Sequence, residues 1–241
     1  YLPTKVSDFQ FPFIVNGDFL TTASRESIHF KNHWNIFLFE GIGSSIVDWA
    51  IILSSQVSNY IEILPSHFLP TGDETRKLLS EAFNESYQLA LEEKAFILDS
   101  DGNLSKQESI IIDKTGISEV LDHTTFYKIF GGEKRLPHPN IAEKIRSFSN
   151  ILNKVGYLED EHLNEALIQN RHIIQNWIEN ANEESLAKFY EWIKKALEKN
   201  LLDGYFQFLP IYKYNNSWYS TLDTRNDKSI VPTMQKILSI K

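Results

Sequence analysis

Phenylalanines at positions 9, 11 and 13 alternate along the chain and run into Ile14 and Val15. This two-residue period predicts a buried strand over residues 9–20, with Pro12 placing it at a sheet edge or strand start because proline lacks an N–H to donate. Asn16-Gly17-Asp18 is a turn signal, and residues 21–26 are short and polar. A long helix is predicted from Asn32 to Tyr60, where Trp34, Phe37, Leu38, Gly41, Ile42, Ile46, Trp49, Leu53, Val57 and Tyr60 follow the 3.6-residue period. Ile36, Phe39, Val47 and Ile51 extend the apolar surface onto a second face, as expected of a helix sandwiched between layers. Asn32 is the expected N-cap.

Two prolines and a glycine between Pro65 and Gly72 mark the expected domain boundary, and a helix is predicted over 73–94. Residues 95–112 read as a hairpin, turning at Asp99-Ser100-Asp101-Gly102-Asn103 and returning to Ile110-Ile111-Ile112. Gly131-Gly132 and Pro137-His138-Pro139 mark a loop. Helices are predicted over about 140–155, 160–180 and 183–200, the last two forming an antiparallel hairpin with Asn182 as cap. Phe206 to Tyr212, a turn at Asn215-Asn216 and Trp218-Tyr219 repeat the hairpin theme after about 110 residues, by structural repetition or by accident. The fold class expected is α+β.

Hydrophobic residues make up 42% of the 241 positions, enough for a core, while a net charge of −8 argues against a general nucleic-acid binder or an anionic membrane surface as partner. With no cysteine there is no disulfide or thiolate chemistry, and a cytoplasmic location is expected. Phe37 to Leu53, interrupted by Glu40 and Asp48, reads as too short and too charged for a membrane span. The chain opens at Tyr1 with neither initiator methionine nor signal peptide, as expected of an excised piece.

Arg25 lies on the loop between the expected strand and the long helix. A guanidinium there suits a phosphate held by a neighbouring domain, because its planar fork and permanent charge match phosphate oxygens. The bland alternative is a surface salt bridge to Glu26 or Asp18. Ser24-Arg25-Glu26 after a strand and before a helix resembles the middle domain of GHKL-type ATPases such as the 90-kDa heat-shock chaperones. Leu2-Pro3-Thr4, Phe13-Ile14-Val15-Asn16-Gly17-Asp18-Phe19, Ser24-Arg25-Glu26 and Trp34-Asn35 together are similar to large bacterial proteins with a sacsin-like ATP-binding domain.

The resemblance covers about residues 1–60. It implies that Arg25 contacts the γ-phosphate of ATP bound, with magnesium, by an upstream domain of the same chain. It implies further that residues 1–68 form a partial transducer-like strand–loop–long-helix segment of a β-α-β layer. Residues 69–241 would be a mainly helical region with two β-hairpins, relaying nucleotide state to a protein partner or client. The Glu-x-x-x-Asn helix, Asp-x-Gly-x-Gly loop and Walker A sequence of nucleotide sites are absent. The isolated chain is therefore expected neither to bind ATP nor to be an enzyme, and Gly41-x-Gly43 reads as helix packing. A stand-alone interaction module with a structural Arg25 is the rival reading.

Three further features carry weaker chemistry. Asp99 to Glu108 approaches a calcium loop, but its first ligand position falls on Ile97, so a hairpin turn is expected and no metal. His29 and His33 have metal-ligand spacing on a helix, but no third ligand is evident. Tyr205, Phe206, Phe208, Tyr212, Tyr214, Trp218 and Tyr219 read as cross-strand pairs before they read as a recognition surface.

Overall fold

The Asn32 side chain accepts a 2.9 Å hydrogen bond from the Trp34 N–H and so opens helix α1, His33–Ser54, at the expected residue. In this computed structural model, which describes residue 9 and residues 11–198, 212–214 and 217–220, the fold is mixed α+β and mainly helical. The chain divides into two compact units, Tyr1–Ile112 with Arg135–Gly156, and Asp113–Lys134 with Tyr157–Lys241.

The first unit is built on α1 and α2, Lys77–Glu93, which pack against each other. Phe39, Ile46, Val47 and Ala50 of α1 are buried, as are Leu79, Phe83, Tyr87, Ala90 and Leu91 of α2. Gly43 lets the backbones approach, since a Cβ there would lie 2.6 Å from the Phe83 carbonyl oxygen and 3.0 Å from the Tyr87 nitrogen. This bears out the packing role for Gly43; Gly41 faces open space.

Ser54 and Ser55 return hydroxyl hydrogen bonds to Ile51 and Ile52 where α1 ends, and a 3-10 turn, Tyr60–Ile63, follows. The predicted continuation to Tyr60 is thus cut short. The Tyr60 hydroxyl donates to the Phe96 carbonyl (2.7 Å) and accepts from the Leu98 N–H (2.8 Å), pinning the 3-10 turn to strand β1, Ile97–Leu98. β1 pairs antiparallel with β2, Leu104–Ser105, around the expected turn. The return strand is shorter than expected: a 3-10 turn, Gln107–Ser109, intervenes before β3, Ile111–Asp113, which pairs with β4, Gly156–Leu158. Buried Gln107 donates to the Leu91 carbonyl and accepts from the Lys154 N–H, satisfying both ends of its amide. Helix α4, Pro139–Ser147, completes this unit.

The second unit opens at Asp113. Its carboxylate accepts from the N–H groups of Thr115, Gly116 and Ser118, shaping the 3-10 turn Ile117–Glu119. A short helix α3, His123–Phe126, capped by Asp122, follows. The single helix expected over 160–180 is two, α5, Asp160–Gln169, and α6, Arg171–Asn180, separated at Asn170, whose side chain donates back to the Ala166 carbonyl. Helix α7, Glu183–Glu198, starts on the expected cap, with the Asn182 Oδ1 accepting from the Ser185 N–H at 2.8 Å. Trp177 of α6 meets Phe189 of α7 edge-on at 5.3 Å between ring centroids. Strands β5, Tyr212–Tyr214, and β6, Ser217–Tyr219, pair antiparallel, so the late hairpin forms where expected; residues 206–211 and Gly204 lie outside the described residues.

Three expectations are corrected. No strand forms among the described residues of 9–20. Their aromatic rings instead pack on the helix pair, Phe9 tilted against Phe39 at 4.8 Å and Phe11 against Phe83 at 5.0 Å, while Phe11 stacks on Phe13 at 4.8 Å. The strand part of the expected β-α-β layer is therefore absent among the described residues. The boundary expected at 65–72, and with it the 1–68 and 69–241 division, does not coincide with the compact units. That segment is tied to α2 by Asn84, which bonds both backbone groups of Leu69, and by Tyr87, whose hydroxyl donates to the Pro65 carbonyl. Finally, α1 has 22 residues and a mean hydropathy of 1.7 over its best window, enough by length and composition to cross a bilayer.

Candidate functional site

Arg25 stands at the tip of a tight loop whose two ends are closed by backbone bonds. Thr21 and Ile28 form an antiparallel bridge, the His29 N–H donates to the Leu20 carbonyl, and the Thr22 N–H donates to the Ser27 carbonyl, each at 2.9 Å in the latter two cases. The Arg25 N–H donates to the Thr22 carbonyl at 2.9 Å, and the Thr22 and Ser24 hydroxyls lie 3.2 Å apart. Arg25 takes the left-handed conformation, φ 57°, and is the one non-glycine residue with positive φ among the described residues. A Cβ in that region costs about 1–2 kcal/mol, and such residues concentrate at ligand-contacting sites.

The Arg25 side chain is exposed and, among the described residues, pairs with neither Glu26 nor Asp18. The surface salt bridge held open as an alternative is therefore not formed.

What holds the loop comes from α1. Asn35 is fully buried, its Oδ1 accepting from the Leu20 N–H at 2.8 Å while its Nδ2 donates to the carbonyls of Leu20 at 2.8 Å and His29 at 3.0 Å. The Trp34 indole N–H donates to the Asp18 carbonyl at 2.8 Å. The helical period accounts for Trp34 as an apolar position and the resemblance includes Trp34-Asn35, but neither pattern assigns these residues to holding the loop. The available signal was an amide at the start of an otherwise apolar helix face.

The other candidates resolve differently. The Asp99 carboxylate accepts from the N–H groups of Asp101 and Asn103 and from the Ser105 hydroxyl, so its oxygens shape the hairpin turn. His29 and His33 are both exposed, with His33 as the first residue of α1 and His29 before it. No group of three His, Cys, Asp or Glu side chains among the described residues could hold a metal ion. Of the late aromatics, Tyr212 and Tyr219 are cross-strand partners, as are Lys213 and Trp218, while Tyr205, Phe206 and Phe208 lie outside the described residues.

A cleft of about 380 Å³ in the second unit is lined in part by Lys188 and Lys195. Each lysine is paired one turn back, to Glu184 at 2.7 Å and Glu191 at 2.9 Å, so the cleft offers balanced charge rather than an anion site. In a second cleft of about 350 Å³, within the first unit, the Ser66 hydroxyl lies 2.9 Å from His67 Nδ1. These two are chain neighbours, and no carboxylate among the described residues orients the ring, so the pair lacks the geometry of an activated nucleophile.

The outward face of α1 carries large apolar side chains beside exposed Ser45 and Asp48. Trp34, Phe37, Trp49 and Ile52 are 46%, 60%, 53% and 55% exposed at helical spacing, although the periodicity predicts cover on both faces. Comparison with protein-family models, with curated proteins and with solved structures finds no match to this chain.

Proposed function

We propose that this chain is an internal, non-catalytic segment of a larger, cytoplasmic, sacsin-like GHKL-type ATP-binding protein, in which it couples nucleotide state to a protein partner or client. Arg25 is the residue that contacts the γ-phosphate in cis, on ATP held with magnesium by an upstream domain. The observation that carries this reading is Arg25 itself: a permanent cation, unpaired among the described residues, on the left-handed tip of a stapled loop. A guanidinium presented without a partner is available to an incoming phosphate and pays little to leave an existing ion pair.

The experiment is Arg25→Ala in the full-length protein. ATP turnover falls roughly tenfold to a hundredfold with ATP affinity nearly unchanged, because the adenine and α/β-phosphate contacts lie elsewhere. Other phosphoryl-transfer arginines contribute ~10³-fold or more; GHKL turnover is slow and the charge is shared, so less is expected here. Arg25→Lys rescues in part, since an ammonium lacks the bidentate fork. Unchanged turnover sinks the assignment.

The exposed apolar face of α1 favours a second reading, a protein-interaction module with no link to nucleotide. The two readings separate on ATP: only the first makes turnover depend on Arg25.

A further inference from the structure

We propose that Asn35 is the positioning residue for Arg25. This rests on the reading of Arg25 as the phosphate-contacting group and adds what presents it.

A loop that must deliver one guanidinium to a phosphate needs its stem fixed, because a displacement of about 1 Å far from the chemistry can cost ~10²-fold in rate. The stem here is residues 20 and 29, and one amide clamps both. Asn35 meets Leu20 as a second backbone would, accepting from its N–H and donating to its carbonyl, each at 2.8 Å. Its second N–H reaches the His29 carbonyl at 3.0 Å. All three of the hydrogen bonds it makes go to the two stem residues, and the side chain is fully buried. No other residue type supplies this set at this length. Aspartate keeps the acceptor and loses both donors, and leucine loses all three.

Asn35 also sits in the first turn of α1, whose inner face is packed on α2. The loop is thereby referenced to the most regular part of the first unit. The Trp34 indole, bonded to the Asp18 carbonyl at 2.8 Å, fixes the chain entering the loop from the neighbouring position on the same helix. Backbone bonds close the loop on itself, and among the described residues the side-chain hydrogen bonds that tie it to a rigid element come from Trp34 and Asn35 of α1.

The test uses the absence of cysteine. Ala23 is exposed and lies within the loop, so Ala23→Cys takes a single nitroxide label in the whole chain. With Asn35 present the spectrum is that of a restricted label. In Asn35→Asp it sharpens to that of a mobile one, while the far-UV circular dichroism of the helices stays unchanged. Should Asn35→Asp not fold, Asn35→Ser removes the same clamp without burying a charge and gives the same readout.

In the full-length protein, Asn35→Asp lowers kcat about tenfold with KM for ATP within about twofold, the scale of losing an orienting partner. Added to Arg25→Ala it costs nothing more, because the group it positions is already gone. A label as restricted in Asn35→Asp as in the parent, or losses that multiply in the double variant, overturns the role of Asn35 alone. Turnover unchanged by Arg25→Ala removes the phosphate reading, and this positioning role with it, whatever the label reports.

Discussion

At the scale of single residues, the fold is pinned by polar side chains that satisfy backbone groups over long sequence separations. Asn35 does so for the loop, Asn84 for Leu69, Gln107 for Leu91, and Tyr60 for Phe96 and Leu98. Tyr60 gives the clearest pH signature. Burial pushes its hydroxyl from the ordinary 10.0 up to about 12, although the Leu98 hydrogen bond pulls the other way. The folded state resists ionisation that the unfolded state permits, so this contribution is intact below pH 10 and is lost as pH rises through about 12. Tyr60→Phe should cost about 1–3 kcal/mol at neutral pH by stranding the buried Phe96 carbonyl and the half-buried Leu98 N–H. Its stability should also fall less steeply above pH 10 than that of the parent chain, part of the remaining slope coming from Tyr87, whose hydroxyl burial also pushes up. Urea unfolding at neutral and alkaline pH measures both, and identical slopes would remove the account of the buried hydroxyl.

Among the elements, what could be read in advance was local. The Asn32 and Asn182 caps, the start of α1 and the turn at Asp99–Asn103 depend on neighbours within a few residues, and each stands where the pattern puts it. The missing strand over 9–20 had the right alternation, but its aromatic rings found helix faces instead of a partner strand, and partner choice is not written in a period. The break at Asn170 carries neither proline nor glycine to announce it. In the candidate site, Arg25 was visible as part of a triplet, whereas the clamp needed a contact spanning 15 residues. The two glycines of α1 offer a direct check on helix packing. Gly43→Ala would push a methyl into the Phe83 carbonyl and should destabilise by about 1–3 kcal/mol. Gly41→Ala meets nothing within 4 Å and should stabilise by about 0.5–1 kcal/mol through helix propensity. Thermal melts of the two variants shifting in the same direction would mean that the close approach of α1 and α2 is not as described.

For the whole molecule, two compact units and exposed apolar side chains along α1 accompany a loop with an exposed arginine at its tip. The proposed reading is of a segment that works against other domains, and its central claim is that Arg25 meets a γ-phosphate. The most direct measurement is arginine-specific modification of the full-length protein with phenylglyoxal, read residue by residue by mass spectrometry. Arg171, exposed at the start of α6, serves as the internal reference. Arg25 should be protected by a non-hydrolysable ATP analogue with magnesium and not by ADP, while Arg171 reacts equally in both. Equal modification of Arg25 with the ATP analogue, with ADP and without nucleotide would contradict the account.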